Sequence, residues 1–414
     1  MASPRAFDLV LWGSTGFTGR LVAKYLAETI DRRLLQLRWA IVGRDRGRVD
    51  ALQRELSVSG LATPEVLVAT ASVQEEVDRV VSQSRVLLST AGPFAAHGTP
   101  VVDACVRLGC DYVDINGEVG WHREMIERYD EEARRKGVVL IPSAGFDSIP
   151  SDLGAHWMAS RIQEEFGVPA RRVDCYVSLD GQFSGGTVAS GILSDETHGE
   201  RLADPFLLCG ERRRTPRAED EDLKEARYNS ALGAWTAPFG MAPINTRIVR
   251  RSVALLEQEP SSPFSRDFTY TEAMVVPTQQ LAEKVARAAT APAAVRRQLV
   301  EKGRLPKPGE GPSAEQRASS WFRLVLVAEA SGEEKQQLVG SVSGGDPGYS
   351  ETSKMVAETA LMLACEREAL PTARGFLTPA SAGGAVLRSR LHHEGILFEA
   401  LGKDALPLGG MAKL

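Results

Sequence analysis

The sequence feature that most constrains the fold is a glycine-rich turn near the amino terminus. The apolar run 7–12 leads into the segment GSTGFTG at 13–19, and a helical pattern follows. In this GxxGxxG spacing, Gly13 permits a tight turn, Gly16 lets the backbone approach a pyrophosphate, and Gly19 lets the helix pack closely on the strand. The start of the helix offers free N–H groups to phosphates. The pattern predicts a dinucleotide-binding turn, with a purely structural turn as the alternative.

Beyond this turn, short apolar runs alternate with helical patterns as far as Pro150. We expect strands at 7–12, 38–42, 65–68, 85–89, 112–114 and 138–141. We expect helices at 19–28, 45–56, 99–108 and 121–136. Strands and helices in this order are typical of a parallel sheet with helices on both faces. We therefore predict an α/β fold whose first domain, over residues 1–150, is Rossmann-type.

The 414 residues are too many for one ordinary core, so we expect a second domain. After Pro150 a helix at about 151–165 is followed by longer strand-like runs, at 173–179, 245–256, 268–276, 321–330 and 336–342. These runs predict a mostly antiparallel sheet in an α+β domain over residues 151–349, inserted before a C-terminal helical return. An amphipathic pattern at 350–364 predicts a helix with which residues 350–414 return to the first domain.

Composition narrows the class of protein. A net charge of −5 gives no general attraction to nucleic acid or to anionic membranes. The five cysteines are widely spaced along the sequence and form no CxxC motif, so we expect reduced thiols and no zinc site. No apolar stretch approaches the roughly 18–20 residues of a membrane span, and no signal peptide is recognisable. We expect a cytoplasmic protein, and any membrane contact would be peripheral, at the plasma membrane. A homodimer is compatible with the sequence.

The end of the second strand indicates which cofactor binds. NAD-binding folds usually place an acidic residue there, whereas this strand ends in Gly43 and Arg44. A guanidinium can pair bidentately with a 2′-phosphate, and Arg48 could assist. We therefore expect NADP(H) rather than NAD. The alternative is that Arg44 caps a helix or pairs with Asp45.

A second turn, STAGPF at 89–94, follows the fourth strand. Its small residues would let the backbone pass under the ribose or nicotinamide, and Pro93 and Phe94 would wall the nicotinamide pocket. The alternative is a turn selected only for its Gly-Pro pair. The predicted cofactor-binding residues are Gly13, Ser14, Thr15, Gly16, Phe17, Thr18, Gly19, Arg44, Ala91, Gly92 and Pro93.

Further loops place polar groups where the crevice between the domains is expected. Two of these loops follow the fifth and sixth strands. A third leads into a helix near residue 185, and the N–H groups at the start of that helix could hold a carboxylate, phosphate or carbonyl. Each of these residues could instead be an ordinary cap or turn residue. The predicted substrate-pocket residues are Phe94, Asn116, Glu118, Asp147, Ser184, Gly185, Gly186 and Thr187.

The proton donor is not identified by any motif. None of the seven tyrosines has a lysine four positions later, so the dyad of short-chain dehydrogenases is absent, and the histidines show no metal-binding spacing. The catalytic residue therefore stays unknown, with Asp147, Tyr349 and a bound water as candidates.

The motifs taken together resemble one family. GSTGFTG at 13–19, VGR at 42–44, STAGPF at 89–94, YVDINGE at 112–118 and AGFDSIPSD at 144–152 resemble the saccharopine dehydrogenase-like oxidoreductases. More narrowly, they resemble the trans-acting enoyl reductase branch. SGGT at 184–187 and GGDPGYSETSKM at 344–355 extend the resemblance over nearly the whole chain.

The resemblance implies an NADPH-dependent reductase acting in lipid or glycolipid biosynthesis. Its implied substrate is an α,β-unsaturated acyl group, carrier-bound or free, made by a polyketide synthase that lacks its own enoyl reduction. Hydride would go to the β-carbon and a proton to the α-carbon. Residues carried over for the cofactor are Gly13, Thr15, Gly16, Gly19 and Arg44. Two alternatives stay open: a saccharopine dehydrogenase-like reductase of an imine or carbonyl, and a non-catalytic NADP(H)-binding sensor or scaffold.

Overall fold

The computed structural model describes residues 5–146, 148–182, 185–199, 201–212, 214–257, 259–307, 310–402 and 405–406. Strands in these residues form two sheets. In chain order the strands are β1 (Phe7–Trp12), β2 (Trp39–Gly43), β3 (Glu65–Val68), β4 (Ser84–Ser89), β5 (Asp111–Asp114), β6 (Val139–Ile141), β7 (Ala170–Asp180), β8 (Arg227–Asn229), β9 (Ala234–Ala237), β10 (Phe264–Val276), β11 (Trp321–Ala330), β12 (Gln337–Gly344), β13 (Gly375–Phe376) and β14 (Leu397–Leu401).

Helices connect and cover these strands. They are α1 (Phe17–Arg32), α2 (Arg46–Val58), α3 (Gln74–Ser82), α4 (Phe94–His97), α5 (Thr99–Leu108), α6 (Val119–Lys136), α7 (Ile149–Phe166), α8 (Gly185–His198), α9 (Ala242–Leu256), α10 (Gln279–Ala289), α11 (Ala293–Glu301), α12 (Ala314–Ser319), α13 (Thr352–Glu366) and α14 (Pro379–His393). None of the helices in the described ranges is both long and apolar enough to span a membrane.

The first sheet is entirely parallel, in the order β13-β6-β5-β4-β1-β2-β3. Alternate residues of β1 pack on opposite faces: Leu9 and Leu11 lie in the core with α1, α2 and α13, and Val10 and Trp12 in the core with α3, α5 and α6. Burial on both faces explains the continuous apolar runs of these strands. The predicted Rossmann-type domain is confirmed, with strand bounds moved by at most one residue.

The second sheet has the order β14-β12-β11-β7-β10-β9-β8. Its pairings are antiparallel except between β7 and β10, which run parallel. The predicted second α+β domain is confirmed. Residues after 350 contribute to both sheets, because β13 pairs with β6 and β14 pairs with β12. The domain bounds near residues 150 and 349 stay a proposal.

One predicted strand, at 245–256, is wrong: this segment lies in helix α9. The alternation of polar and apolar residues was misleading because three of its polar residues, Arg247, Arg250 and Arg251, are buried. They donate hydrogen bonds to backbone carbonyls of the segment between residues 202 and 220, for example from Arg250 to Asp220 over 2.8 Å. An analysis of sequence periodicity treats arginines as solvent-facing, so it does not detect the helical repeat of this segment.

The helix predicted at 350–364 forms as α13, but it is not amphipathic. Residues from Thr352 to Ala364 are buried on nearly every side, with Lys354 half-buried. Glu358, in the middle of this helix, is fully buried and pairs with Arg33 and Arg390. Helix α13 packs between the first sheet and the helices α1 and α14. The charged side chain of Glu358, which suggested a solvent-exposed face, therefore lies inside the molecule.

Candidate cofactor and substrate site

The turn after β1 has the geometry of a phosphate loop. Gly13 has a φ of +83°, and an added Cβ would lie 2.9 Å from the Cβ of Ala91. A Cβ on Gly19 would overlap the carbonyl oxygen of Gly13. Gly16 is exposed, and an added Cβ there would meet, among the described residues, only the Gly13 oxygen at 3.4 Å. Gly13 and Gly19 thus serve close packing, whereas Gly16 leaves an open surface.

Helix α1 begins at this open surface. Gly16 is its N-cap, and no described side chain caps the helix or places an acid in its first turn. The first N–H groups of the helix and its positive dipole end therefore suit a pyrophosphate. Ser14 faces inward, with its backbone N–H and its hydroxyl both donating to the carbonyl of Val42 over 3.0 Å. Ser14 therefore fastens the loop to β2.

The end of β2 fits an adenosine 2′-phosphate. A Cβ at Gly43 would lie 2.8 Å from Val49 and 3.2 Å from Thr15, so only glycine lets the loop approach this closely. Arg44 is exposed and makes no side-chain hydrogen bond or ion pair with the described residues. Asp45 is the N-cap of α2 and accepts a hydrogen bond from the backbone N–H of Arg48. The observed cap is thus Asp45, and the guanidinium of Arg44 is available.

The STAGPF turn lies directly beside the phosphate loop. Thr90 donates to the carbonyl of Trp12 over 2.9 Å from its backbone, and its hydroxyl donates to the carbonyl of Gly13. The Gly92–Pro93 peptide bond is cis, and α4 begins directly after it. Gly92 is exposed, whereas Phe94 is buried against Trp121. The predicted ribose and nicotinamide residues therefore form one continuous edge with the phosphate loop.

A buried polar cluster follows β5. Burial raises the pKa of Asp114 to about 6, although the N–H groups of Asn116 and Ser143 and the hydroxyl of Tyr112 all donate to its carboxylate. Asn116 accepts from the backbone N–H of Glu118, and its own Nδ2 has no partner among the described residues. These contacts fix the loop that leads to α6.

The carboxylate of Glu118 is directed at the neighbouring turn. It accepts hydrogen bonds from the backbone N–H groups of Phe94 and Ala95, each over 2.8 Å, and from the hydroxyl of Ser190. Ser190 lies on α8, the helix that opens with the predicted Gly185-Gly186-Thr187 segment. Sequence reasoning missed Ser190, because nothing in the local pattern of α8 links it to a residue 72 positions earlier.

The C-terminal part of the chain contributes a turn at Pro347–Glu351. Its Tyr349 is 2% exposed, and its ring meets the ring of Phe17 edge-on with centroids 5.0 Å apart. The guanidinium of Arg317 lies 5.7 Å from the same phenylalanine ring. Thr352 accepts a hydrogen bond from the backbone N–H of Phe146. The turn therefore joins the phosphate loop to the loop after β6.

The structure thus brings together the phosphate loop, the turn at 89–94, the loop after β5, the start of α8 and Tyr349. Gly185 is buried and donates its N–H to the carbonyl of Glu310, whereas Gly186 and Thr187 are exposed. Asp147 and Ser184, both predicted for the substrate pocket, lie outside the described residues. Whether the grouped residues bind cofactor and substrate stays a prediction.

Two other buried carboxyl groups lie away from this edge. Asp152 on α7 accepts from Ser252 and from the backbone N–H of Ala380, and burial raises its pKa to about 7. Burial likewise raises the pKa of Glu272, on β10, to about 7. Glu272 accepts a hydrogen bond from Ser151 over 2.7 Å. These groups link α7 to α9, α14 and β10.

Comparison with known proteins identifies the family. Residues 9–141 match the family model of the saccharopine dehydrogenase NADP binding domain, which spans β1 to β6 and the phosphate loop. A Mycobacterium tuberculosis protein that carries the trans-acting enoyl reductase name is 36% identical over 96% of this chain and 98% of its own length. A trans-acting enoyl reductase of Mycobacterium bovis is 33% identical over 95% of this chain and 97% of its own length.

Solved structures share the fold at low sequence identity. Saccharopine dehydrogenase (L-Glu forming) from Saccharomyces cerevisiae aligns with a TM-score of 0.53 and 11% identity, covering 95% of this chain and 99% of its own. Homospermidine synthase from Legionella pneumophila, solved with NAD, aligns with a TM-score of 0.53 and 10% identity, covering 96% and 91%. The sequence similarity extends over the whole architecture, so this chain belongs to the trans-acting enoyl reductase family and is an NADP-dependent reductase.

Proposed function

We propose that this protein reduces the C=C bond of an α,β-unsaturated acyl thioester. The relatives that carry the trans-acting enoyl reductase name match 96% and 95% of the chain. We propose that NADPH lies along Gly13–Gly19, Arg44 and Ala91–Pro93. The acyl group would then lie near Phe94, Asn116, Glu118, Asp147 and Ser184–Thr187.

The observation that carries the proposal is the similarity to trans-acting enoyl reductases over nearly the whole chain. The carboxylates of Asp114, at the end of β5, and of Glu118, in the loop after it, accept three hydrogen bonds each. These contacts hold the loop after β5 and the turn at 89–94, and neither carboxylate is assigned as the proton donor. Reduction of an activated C=C bond needs only a weak proton source, which Tyr349, Asp147 or a bound water would supply.

NADPH, when bound, supplies the hydride that this reaction consumes. The open surface at Gly16 and the N–H groups of α1 would hold its pyrophosphate, and Arg44 would hold its 2′-phosphate. The turn at Gly92 and Pro93 would orient the nicotinamide. Tyr349, Asp147 or a bound water would deliver the proton to the α-carbon.

The name of the relatives indicates how the substrate arrives. A reductase that acts in trans receives its acyl group from another protein, and we propose a polyketide synthase as that partner, with lipid or glycolipid biosynthesis as the setting. We further propose a cytoplasmic location, with any membrane contact peripheral at the plasma membrane, and a homodimer as the state to test. The division into a cofactor domain (1–150 with 350–414) and a substrate domain (151–349) belongs to the same proposal.

Turnover assays test the proposal. NADPH oxidation by the purified chain is measured with enoyl thioesters of increasing length, and in parallel with imine and carbonyl substrates of the saccharopine type. We expect oxidation with the enoyl thioesters alone. Turnover confined to imines or carbonyls would replace the proposed substrate. Tight NADPH binding without any turnover would favour a sensor or scaffold.

A further inference from the structure

Glu118 has an unusual position for a residue at the start of a helix. It is the N-cap of α6, yet its side chain makes no capping hydrogen bond to α6. The side chain is 1% exposed, and its two oxygens accept instead from the first N–H groups of α4, at Phe94 and Ala95. Glu118 therefore caps a helix other than its own.

Glu118 completes the first turn of α4. The first N–H groups of a helix have no acceptor within the helix. In this four-residue helix those of Ala96 and His97 donate to the carbonyl of Pro93, and Glu118 accepts from the other two. Hydrogen bonds to a carboxylate are roughly twice as strong as neutral ones. The N-cap of α4 is Pro93, so the carboxylate holds the residues that directly follow the turn at Gly92 and Pro93. This is the turn that we place against the nicotinamide.

The carboxylate of Glu118 also contacts α8, the helix that follows β7. Ser190 of α8 donates its hydroxyl to Oε1 of Glu118 over 2.8 Å, and a Cβ on Gly92 would lie 3.8 Å from the Ser190 hydroxyl. Helix α8 is in turn tied to α11, since Arg297 pairs with Glu196 over 2.5 Å. One buried side chain thus joins the turn beside the phosphate loop to a helix that follows β7.

We propose that Glu118 is a positioning residue, which couples α8 to the Gly92–Pro93 turn and thereby sets the nicotinamide half of the cofactor site. The inference rests on the proposed function only in placing the nicotinamide at this turn. It assigns no contact between Glu118 and the reacting atoms. The adenosine half, at Gly16 and Arg44, does not depend on Glu118.

Binding of two ligands by calorimetry tests the proposal without a substrate. NADPH occupies both halves of the site, whereas 2′-phospho-ADP-ribose lacks the nicotinamide. In Glu118→Gln one acceptor oxygen is replaced by an NH2 group that faces a backbone N–H. We expect NADPH affinity to fall about tenfold, as for the loss of one charge-assisted hydrogen bond. Affinity for 2′-phospho-ADP-ribose should stay within about twofold of the wild type.

Two further variants separate positioning from folding. Ser190→Ala removes only the link to α8, so the preference for NADPH over 2′-phospho-ADP-ribose should fall in the same direction by a smaller factor. Glu131→Gln changes an exposed carboxylate on the same helix and should leave both affinities unchanged.

Three results would overturn the proposal. The first is an unchanged NADPH affinity in Glu118→Gln or, should that variant not fold, in Ser190→Ala. The second is an equal loss of both affinities, which would indicate a structural role. The third is a wild-type protein that binds both ligands equally. Failure of the enoyl thioester assay would leave these binding ratios unaffected, so the two proposals fail separately.

Discussion

Arg44 is the residue on which the choice of cofactor depends. It directly follows β2, is exposed, and makes no ion pair with the described residues. Replacing it with alanine removes a bidentate partner of the 2′-phosphate, so Arg44→Ala should weaken NADPH binding about tenfold or more. NADH has no 2′-phosphate, and its affinity should hardly change. Calorimetry with both coenzymes measures the difference.

The control for this variant is Arg46→Ala. Arg46 is also exposed and lies two positions later, but it pairs with Asp50 within α2. Its removal should leave NADPH affinity within about twofold of the wild type. An Arg44→Ala protein that binds NADPH and NADH as the wild type does would contradict the assignment of the 2′-phosphate site.

Single residues of the phosphate loop could be predicted from sequence, because their roles follow from local geometry. The tight turn at Gly13 and the close packing at Gly19 need only the chain nearby and the neighbouring strand. The partners of Glu118 and the contact of Tyr349 with Phe17 could not be predicted in this way. They join distant parts of the chain, and no periodicity encodes such pairs.

Among the elements, α9 shows how buried charge misleads sequence analysis. Strands β1 to β6 were predictable because apolar runs buried on both faces leave a direct signal. In α9 the arginines face inward, where Arg250 donates to the carbonyls of Pro205, Asp220 and Tyr270. Burial lowers the pKa of Arg250 to about 10. The helix therefore holds the segment before β8 through charged side chains as well as through apolar contacts, such as that of Ala254 with Phe206.

This arrangement predicts a large cost for removing one guanidinium. Arg250→Met keeps most of the side-chain volume but leaves three buried carbonyls without their donor. We expect the free energy of unfolding to fall by about 3 kcal/mol. Denaturant titration followed by circular dichroism measures it. Arg266→Met, at an exposed position of β10, should change stability by less than about 0.5 kcal/mol. Equal midpoints for the two variants would show that α9 does not depend on Arg250.

At the scale of the whole molecule, α7 connects the two sheets, and its buried polar contacts make stability depend on pH. It begins after the loop that follows β6, and it packs on β7, β11 and β12 of the second sheet. Its Ser151 donates to Glu272 of β10, and its Asp152 binds Ser252 of α9 and Ala380 of α14. The pKa of each of these two carboxyl groups is raised by burial to about 7.

The sign of the pH effect follows from the raised pKa. A carboxyl group whose pKa is higher in the folded than in the unfolded state binds its proton more tightly when folded, so its ionisation destabilises the fold. For Glu272 this loss begins near the ordinary glutamate value of 4.5 and is complete above about pH 7. Each unit of pKa shift corresponds to about 1.4 kcal/mol, so the full effect is of the order of 3 kcal/mol.

Glu272→Gln tests this directly, because an amide of the same shape cannot ionise. The variant should have nearly the stability of the wild type at pH 4.5, and it should become progressively more stable than the wild type up to about pH 8. Thermal unfolding across this range measures the difference, and Glu131→Gln at an exposed position supplies the baseline.

The buried histidine His156, whose pKa burial lowers to about 4, destabilises both proteins alike in acid and cancels in the comparison. A difference between variant and wild type that does not grow with pH would show that Glu272 ionises in the fold at its ordinary pKa. The contact between Ser151 and Glu272 would then be a charged hydrogen bond at neutral pH, which couples α7 to the second sheet.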